Sequence, residues 1–380
     1  MPATEKLISR LLADAGYTCG LAGKLHLATC ANGVVEKRID DGYEVFDWSH
    51  HPQPDWPENA YTQWLAQQGK SWEELYDGPS TPYIKHGVPA EYHQSTWCAN
   101  RAIDFIREQK GAPWFFSFNC FAPHHPFDPP PEYLERYDFD QMPLPKNHPD
   151  EEASQTSFQK KDREWAHDSP GEFHTGAMSA EDHRQVYAAN LAMVELIDDS
   201  FGDILSTLEE TGQVENTLVL FMSDHGEMLG DHGIYFKGPH FYDCALRVPL
   251  VIRWPAGGVG ANLRASGLVE LLDLVGPVVA HPDPFGKAGK RRFVGHPASQ
   301  FALGFGEADP VAALAQRHGA LQAGRPGADH QHRILRALGG DDFRMPVAAP
   351  FLAHGRVLGA AHGRLHMLAG DADVAADAFP

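Results

Sequence analysis

Acidic, imidazole and amine groups are concentrated in residues 221–238, FMSDHGEMLGDHGIYFKG, directly after an apolar run. Asp224 and His225 stand side by side at the end of that run. A carboxylate next to an imidazole offers a hard oxygen and a borderline nitrogen, which are suitable ligands for a divalent cation. The alternative is that Asp224 caps a helix and His225 lies at the surface, so the pair alone leaves both interpretations open.

Lys237 lies near the end of the same segment, next to Gly238, in a loop rich in glycine and proline. A lysine beside a glycine can approach an oxyanion closely and acts there as a compact point charge. Most loop lysines are merely solvated, which is the competing interpretation. Asp231 and His232 repeat the Asp-His-Gly triplet, and we interpret them as groups that order the loop rather than as ligands.

Two further segments carry candidate catalytic groups. Lys24 and His26 lie two residues apart in GLAGKLHLA, and side chains with that spacing project from the same face of an extended strand. A cation and a proton carrier could therefore address one ligand, although an amphipathic strand with an exposed Lys24 has the same pattern. His124 and His125 lie between prolines in APHHPF, where the fixed backbone restricts the imidazoles. A proline-rich loop with surface histidines is the alternative.

Helices and strands alternate along the first part of the chain. Apolar residues at helical spacing predict helices, and short apolar runs predict strands. This alternation predicts an α/β fold with a mostly parallel central sheet flanked by helices. We expect little periodic structure in residues 128–180, which are rich in proline and charged residues. The predicted helices cover residues 4–15, 95–109 and 184–212, and the predicted strands cover residues 17–23, 114–121, 216–222 and 247–254.

Three of the predicted strands end in groups that could do chemistry. In parallel sheets, ligands bind outside the carboxyl ends of the strands. Lys24 follows the first of these strands, His124 the second and Asp224 the third. Because the three segments converge on one edge of the sheet, we predict an active site there rather than scattered surface charges.

Composition and charge exclude several classes of function. The formal charge of −20 argues against a nucleic-acid-binding protein, which needs a clustered basic face. No run approaches the roughly 18 to 20 apolar residues of a membrane span. The N-terminal residues MPATEKLISRLLADAG do not resemble a secretory signal, and the five scattered cysteines form no Cys-x-x-Cys pair. We therefore expect a cytoplasmic protein with reduced thiols, no nucleic-acid partner and no membrane partner.

The composition changes near residue 276. Residues 276–380 contain no Thr, Asn, Tyr or Trp, and 8 of the 22 histidines lie there. Such a segment lacks the alternation of β-branched and aromatic residues that a packed sheet needs. We expect residues 1–275 to form the catalytic domain. We interpret residues 276–380 as an atypical tail rich in Ala, Gly, Arg and His, for which a low-complexity extension and an out-of-frame readout are the two explanations.

Four segments occur in a fixed order along the first domain. They are LLADAGYTCGLAGKLHL, FNCFAPHHPFDPPPEYLERYD, YAANLAMVELIDDSFGDIL and TLVLFMSDHGEMLGDHGIYFKGPHFYDCALRVPLVIRWP. Together they resemble the sulfatases of the alkaline phosphatase-like superfamily. The first is similar to the family's Gly-Tyr-x-Thr…Gly-Lys-x-His signature, with Cys19 at the usual position of the threonine. The resemblance implies an alkaline phosphatase-like sandwich that hydrolyses small-molecule sulfate esters at a divalent-metal site.

The resemblance also implies which residues bind the metal and the sulfate. Asp224 and His225 match the family's second pair of metal ligands, for which calcium is expected and manganese is the alternative. Lys24 and Lys237 match two lysines that contact the sulfate, and the second of these also contacts the nucleophile. Calcium and ammonium groups together would neutralise the sulfuryl oxygens.

Two histidines complete the implied site. His26 matches the histidine beside the nucleophile, and His124 matches the histidine that protonates the leaving oxygen. An adjacent Asp-His pair like Asp224 and His225 is also seen in phosphonate monoester hydrolases and choline-sulfatase-like enzymes. Hydrolysis of phosphonate or phosphate esters is therefore the alternative activity.

The family's nucleophile segment is absent from the 380 residues. Sulfatases carry a formylglycine made from the Cys (or Ser) of Cys-x-Pro-Ser-Arg, and no such motif occurs here. The family's first strand, which ends in Asp-Asp and supplies the other metal ligands, is also missing. We therefore expect a fold truncated at the N-terminus and a chain without formylglycine-dependent activity. A non-catalytic remnant and a histidine-rich metal-binding tail on an inert scaffold are the remaining alternatives.

Overall fold

The computed structural model describes residues 6–27, 38–50, 58–109, 111–148, 150–166 and 173–257, together with the isolated positions 263, 264 and 269. Most of the predicted catalytic domain lies in these ranges. The tail expected from residue 276 onward lies outside the described residues, and its nature stays a prediction. Within the described ranges, none of the helices combines the length and the apolar character that a membrane crossing needs.

Helices and strands alternate in the described residues, as the sequence predicted. The strands are β1 (Thr18–Gly23), β2 (Val45–Trp48), β3 (Trp114–Asn119), β4 (Val219–Met222) and β5 (Leu250–Arg253). The α-helices are α1 (Ile8–Asp14), α2 (Ala60–Gln67), α3 (Trp72–Leu75), α4 (Gln94–Glu108), α5 (Pro131–Leu134), α6 (Glu151–Ser154), α7 (Ser157–Trp165), α8 (Ala180–Glu210) and α9 (Asp243–Leu246).

The first three strands form a parallel sheet with β1 in the middle. β1 pairs with β2 on one side and with β3 on the other, so that Leu21 lies opposite Phe46 in β2 and Ser117 in β3. All residues of β1 after Thr18 are buried, as expected for a strand that is covered on both faces. The sequence did not predict β2, because its four residues VFDW include an aspartate and are too few to show a period.

β4 and β5 form an antiparallel pair, whereas the sequence predicted that the strand before Asp224 belongs to the mostly parallel sheet. In the described part of the chain, this pair is not hydrogen-bonded to the parallel sheet. A cavity of about 1610 Å³ is lined by every residue of β3 and of β4. The predicted α/β class is confirmed, with a parallel sheet of three strands and one antiparallel pair.

The helices α4 and α8 pack against each other beside the sheet. α8 begins with a capping box, in which the hydroxyl of Ser179 accepts from the Asp182 N–H (3.1 Å) and the Asp182 carboxylate accepts from the Ser179 N–H (2.8 Å). These bonds satisfy amides at the helix start that have no partner within the helix. The apolar cluster between the two helices and the strands includes Ala102, Ile106, Ile204, Leu205, Phe116 and Phe221.

Residues 128–180 contain more regular structure than the sequence predicted. The structure places α5, α6 and α7 there, and α7 begins with a capping box formed by Thr156 and Gln159. Tyr133 of α5 donates from its hydroxyl to the Asp199 carboxylate of α8 (2.8 Å). Helices of four residues, such as α5 and α6, contain too few positions for a period to be recognised.

Candidate active site

Lys24 directly follows β1 and is tied to the end of β3. Its N–H donates to the carbonyl oxygen of Asn119 (2.7 Å), and the Asn119 side-chain amide donates to the Lys24 carbonyl oxygen (2.9 Å). Gly23 has a φ of +103°, and a Cβ atom at this position would lie 1.9 Å from the Asn119 carbonyl oxygen. Only glycine allows this approach, so Gly23 fixes the direction in which Lys24 leaves the sheet.

The Nζ atom of Lys237 lies against the ring Nε2 of His124. The other ring nitrogen, Nδ1, is 2.6 Å from the carbonyl oxygen of His125. Because a carbonyl oxygen only accepts, Nδ1 carries the proton and Nε2 of the neutral ring accepts from the lysine ammonium. Burial, followed by the charges of His125 and Lys237, lowers the pKa of His124 to about 2. His124 is therefore neutral in this arrangement near pH 7.

Lys24 and Lys237 bring two ammonium groups close to His124. Burial, followed by the charge of Lys24, lowers the pKa of Lys237, whereas the charges of Glu227 and Asp224 act in the opposite direction. The charge of Lys24 also contributes to the lowered pKa of His124. Two like charges held close together repel each other, so an anion that neutralises both would be bound favourably between them.

Asp224 and His225 follow β4 and do not begin a helix, so the alternative that Asp224 caps a helix is wrong. The Asp224 Oδ2 and His225 Nε2 atoms lie 3.6 Å apart, and the side chains are 74% and 34% exposed. The His225 Nδ1 atom lies 2.9 Å from the carbonyl oxygen of Gly226. The ring centroids of His225 and His124 are 6.4 Å apart, so this pair adjoins the contact between His124 and Lys237.

The Asp224–His225 pair fits one side of a divalent ion. Its oxygen and nitrogen are close enough to occupy neighbouring positions around one cation, and an Nδ1–H bonded to a backbone carbonyl is the usual support of a histidine ligand. A complete site needs more ligands than these two. Across the described ranges, no group of three or more His, Cys, Asp or Glu residues is arranged to hold a metal ion.

The His26 ring packs against the ring of His50. The two ring centroids are 4.7 Å apart and the planes are almost perpendicular, in an edge-to-face contact. The His50 ring is 6.1 Å from the ring of Phe121. The Nζ atom of Lys24 lies 5.4 Å from the centroid of the same Phe121 ring, so His26 adjoins the site through these aromatic contacts.

Glu227 is a half-buried carboxylate at the site, and the sequence pattern assigned it no role. Burial raises the pKa of Glu227 to about 7, and its carboxylate accepts from the Leu229 N–H (3.3 Å). When Glu227 is ionised, its negative charge favours the ammonium form of Lys237. The only indication in the sequence is its position two residues after His225 in SDHGE.

Asp231 and His232 order the loop that leads to Lys237, in agreement with the interpretation from the sequence. The Asp231 carboxylate accepts from the Lys146 N–H (2.7 Å). The His232 ring stacks on Tyr242 with centroids 3.8 Å apart, and its Nδ1 contacts the Glu151 carboxylate. These contacts join the loop to the segment that contains α6 and α7.

Comparison with known proteins identifies the family. A sequence model of the Sulfatase family matches residues 1–281, well over half of the chain. The chain belongs to the sulfatase family. Sulfatases are sulfuric ester hydrolases that generally use a divalent metal and a formylglycine, and they have the alkaline phosphatase-like fold.

Several relatives resemble this sulfatase-family chain over about two thirds of its length. The multifunctional alkaline phosphatase superfamily protein PehA of Trinickia caryophylli is 31% identical over 251 residues, which are 64% of this chain and 46% of that protein. An arylsulfatase of Clostridium perfringens is 28% identical over 288 residues, covering 71% and 56% of the two proteins. The chain thus spans about half the length of the curated relatives it matches.

The fold agrees with a solved structure of the same superfamily. The phosphonate monoester hydrolase of Agrobacterium radiobacter superposes with a TM-score of 0.56 and 25% identity, over 68% of this chain and 55% of that one. The alkaline phosphatase-like fold expected from the resemblance is therefore confirmed. The roles of the individual site residues stay predictions.

Proposed function

We propose that the chain carries the oxyanion-binding part of a sulfate-ester hydrolase site. The observation that carries this proposal is the contact between Lys237 and His124, with Lys24 close by. In sulfate monoester hydrolysis, the sulfuryl oxygens are charged throughout and negative charge develops on the leaving oxygen. Two ammonium groups beside an imidazole can neutralise the first and protonate the second.

Substrate binding and proton donation are linked in this proposal. Lys24 and Lys237 bind the sulfuryl oxygens, so a bound sulfate ester draws the Lys237 ammonium away from the Nε2 atom of His124. The ester also adds negative charge beside the ring. Both changes favour the imidazolium form, and His124 then gives its proton to the leaving oxygen. His26 acts beside the nucleophile position.

Asp224 and His225 are the proposed metal ligands. Their oxygen and nitrogen donors suit a divalent cation; we propose Ca²⁺, with Mn²⁺ as the alternative. When bound, the ion would add positive charge for the sulfuryl oxygens. Because the two residues fit only one side of such an ion, we assign no step of the reaction to it.

Turnover requires a nucleophile that residues 1–380 do not supply in the form the family uses. The motif Cys-x-Pro-Ser-Arg does not occur among them. We expect this chain by itself to bind a sulfate oxyanion at the two lysines without hydrolysing an aryl sulfate. A non-catalytic sulfatase remnant would be indicated if neither binding nor turnover were found.

Phosphonate or phosphate ester hydrolysis is the second candidate activity. The phosphonate monoester hydrolase named above shares the fold, and PehA belongs to the same superfamily. Phosphonate monoesters and sulfate monoesters both carry one negative charge near pH 7. Two lysines can therefore bind either, and the site geometry favours neither.

The deciding experiment is a calorimetric titration of the 380-residue chain with sodium sulfate and with methylphosphonate, in the presence and absence of Ca²⁺. We expect saturable sulfate binding that Lys237→Met reduces at least tenfold, the factor typical of losing one charge-assisted hydrogen bond. Lys160→Met removes an exposed lysine of α7 and serves as the matched control.

The possible outcomes separate the candidates. No saturable binding of either anion, or equal binding by Lys237→Met, would refute the proposed site. Tighter binding of methylphosphonate than of sulfate would favour the second activity. Release of phenol from an aryl sulfate by this chain alone would contradict the expected lack of turnover.

A further inference from the structure

A buried hydrogen bond between a histidine and a carboxylate lies under the turn that follows Lys237. The His240 Nε2 atom is 2.7 Å from the Asp162 Oδ2 atom, and both side chains are only 4% exposed. Asp162 belongs to α7, and the two residues are 78 positions apart in the sequence. A carboxylate buried in this way is tolerated only when it is paired and hydrogen-bonded, so the two side chains depend on each other.

The backbone next to Lys237 rests directly on this pair. Gly238 has a φ of +46°, and a Cβ atom there would lie 2.6 Å from His240 Cδ2 and 2.8 Å from Asp162 Oδ2. No side chain fits into that gap without moving the pair. The position of the Asp162–His240 pair therefore limits where the backbone of Lys237 and Gly238 can lie.

α7 is itself held firmly, so it can act as a fixed support. Its capping box closes the N-terminal end, and Gln159 donates from its side-chain amide to the Tyr242 hydroxyl (2.7 Å). Arg163 donates to the carbonyl oxygen of His232 (3.0 Å). A functional site keeps its geometry to within fractions of an ångström only when residues on a rigid element support its side chains.

We propose that Asp162 is a positioning residue, which holds the Lys237 turn through His240 so that the lysine reaches His124 and the bound oxyanion. This inference rests on the oxyanion-binding role proposed for Lys237. Asp162 itself lies behind the turn and acts only through His240 and Gly238. Its removal leaves the Nε2–H of His240 without its acceptor in a buried place and loosens the turn.

The test compares Asp162→Ala with Asp162→Asn in the full chain. Asp162→Ala removes the acceptor, whereas Asp162→Asn keeps an oxygen that can accept from His240. For Asp162→Ala we expect sulfate affinity to fall about tenfold and amide hydrogen exchange at residues 236–240 to rise about tenfold, as for the loss of one hydrogen bond. For Asp162→Asn we expect both quantities to stay within about threefold of the original chain.

A second histidine–carboxylate pair provides the matched control. His232 and Glu151 also join these two segments, but the atoms nearest to the Cβ position of Gly238 belong to His240 and Asp162. Glu151→Gln should change the sulfate affinity and the exchange at residues 236–240 clearly less than Asp162→Ala does, because it leaves the support of Gly238 in place. If Asp162→Ala does not fold, Gly238→Ala tests the same support with Asp162 in place, because the new methyl group collides with the pair and should produce the same losses.

The outcomes distinguish this inference from the proposed function. If the original chain binds no sulfate, the oxyanion role fails, and the exchange at residues 236–240 alone decides whether Asp162 positions the turn. A folded Asp162→Ala with a lower melting temperature but unchanged affinity and exchange would show a purely structural role and would overturn the inference. Equal effects of Asp162→Ala and Glu151→Gln would also overturn it.

Discussion

The Lys237 ammonium points at the Nε2 atom of His124, although 113 positions separate the two residues in the sequence. The hydrogen bond from His124 Nδ1 to the His125 carbonyl oxygen fixes which ring nitrogen faces the lysine. Lys237 therefore has two effects at the site. Its charge contributes, after burial and His125, to the lowered pKa of His124, and in the proposed function it also binds the anion.

Replacing Lys237 with methionine should raise the pKa of His124. Burial is the largest cause of its low pKa and remains in the variant, so the pKa should rise without reaching the ordinary value for histidine. The measurement is an NMR titration of the His124 ring, and Lys160→Met is the control. An unchanged His124 titration would show that the lysine charge does not reach the ring.

His93 makes the fold sensitive to acid. Its Nδ1 accepts from the Ser95 N–H (3.1 Å) at the start of α4, and burial lowers its pKa to about 4. On acidification, His93 is protonated near pH 6.5 in the unfolded chain but only near pH 4 in the folded chain. Stability is lost as the pH falls through this window, by up to about 3 kcal/mol at its lower end.

His93→Asn should remove this acid sensitivity. Asparagine is among the preferred N-cap residues, so the variant should still accept a hydrogen bond at the start of α4. We expect its unfolding free energy at pH 7 to be lower than that of the original chain by about 1 kcal/mol. Urea unfolding of both proteins between pH 7 and pH 4.5 gives the difference in unfolding free energy at each pH. We expect this difference to shift in favour of the variant as the pH falls, and parallel stability curves would contradict the assignment.

Asp128 should act with the opposite sign in the same pH range. Burial raises its pKa to about 7, and the Tyr76 hydroxyl donates to its Oδ2 atom (3.0 Å). The folded chain keeps a proton on this carboxyl that the unfolded chain loses near pH 4, so its contribution is present at low pH and is lost as the pH rises to about 7.

We therefore compare the unfolding free energy of Asp128→Asn with that of the original chain at each pH. The variant's value minus the original's should be about 2 to 4 kcal/mol higher at pH 8 than at pH 4. The side-chain oxygen of asparagine can still accept from Tyr76. The same urea series measures the effect. A variant that is less stable than the original chain at pH 8 would show instead that the ionised carboxylate is favourably bound in the fold.

The regular core could be predicted from the sequence, because its signals are local. β1 is a continuous apolar run, and α4 and α8 show helical spacing over many residues. The convergence of Lys24, His124 and Asp224 followed from a general rule about strand ends. That rule predicted that these side chains lie near one another, but it could not predict which atoms are in contact.

The remaining features depend on contacts between distant segments. The short strand β2 is specified by its pairing with β1 rather than by its own residues. Asp162 lies among lysine, arginine and glutamate residues in α7, where an aspartate is usually exposed. Only the folded chain shows that it is buried against His240, so no sequence pattern could have indicated its role.

Gly23→Ala should disturb both the fold and the placement of Lys24. The new Cβ atom would lie 1.9 Å from the Asn119 carbonyl oxygen, which accepts the Lys24 N–H. The strands must separate or the bond must break, so we expect a loss of more than about 2 kcal/mol in unfolding free energy and weaker sulfate binding. Gly16→Ala is the matched control, because Gly16 has a similar φ of +92° and no atom within 4 Å of its Cβ position. It should cost only about 1 kcal/mol, because a side chain is strained in the left-handed backbone conformation, and it should leave sulfate binding unchanged.

Urea unfolding and sulfate titration of both variants provide the comparison. Equal losses would show that the backbone conformation, not the contact with Asn119, determines the effect.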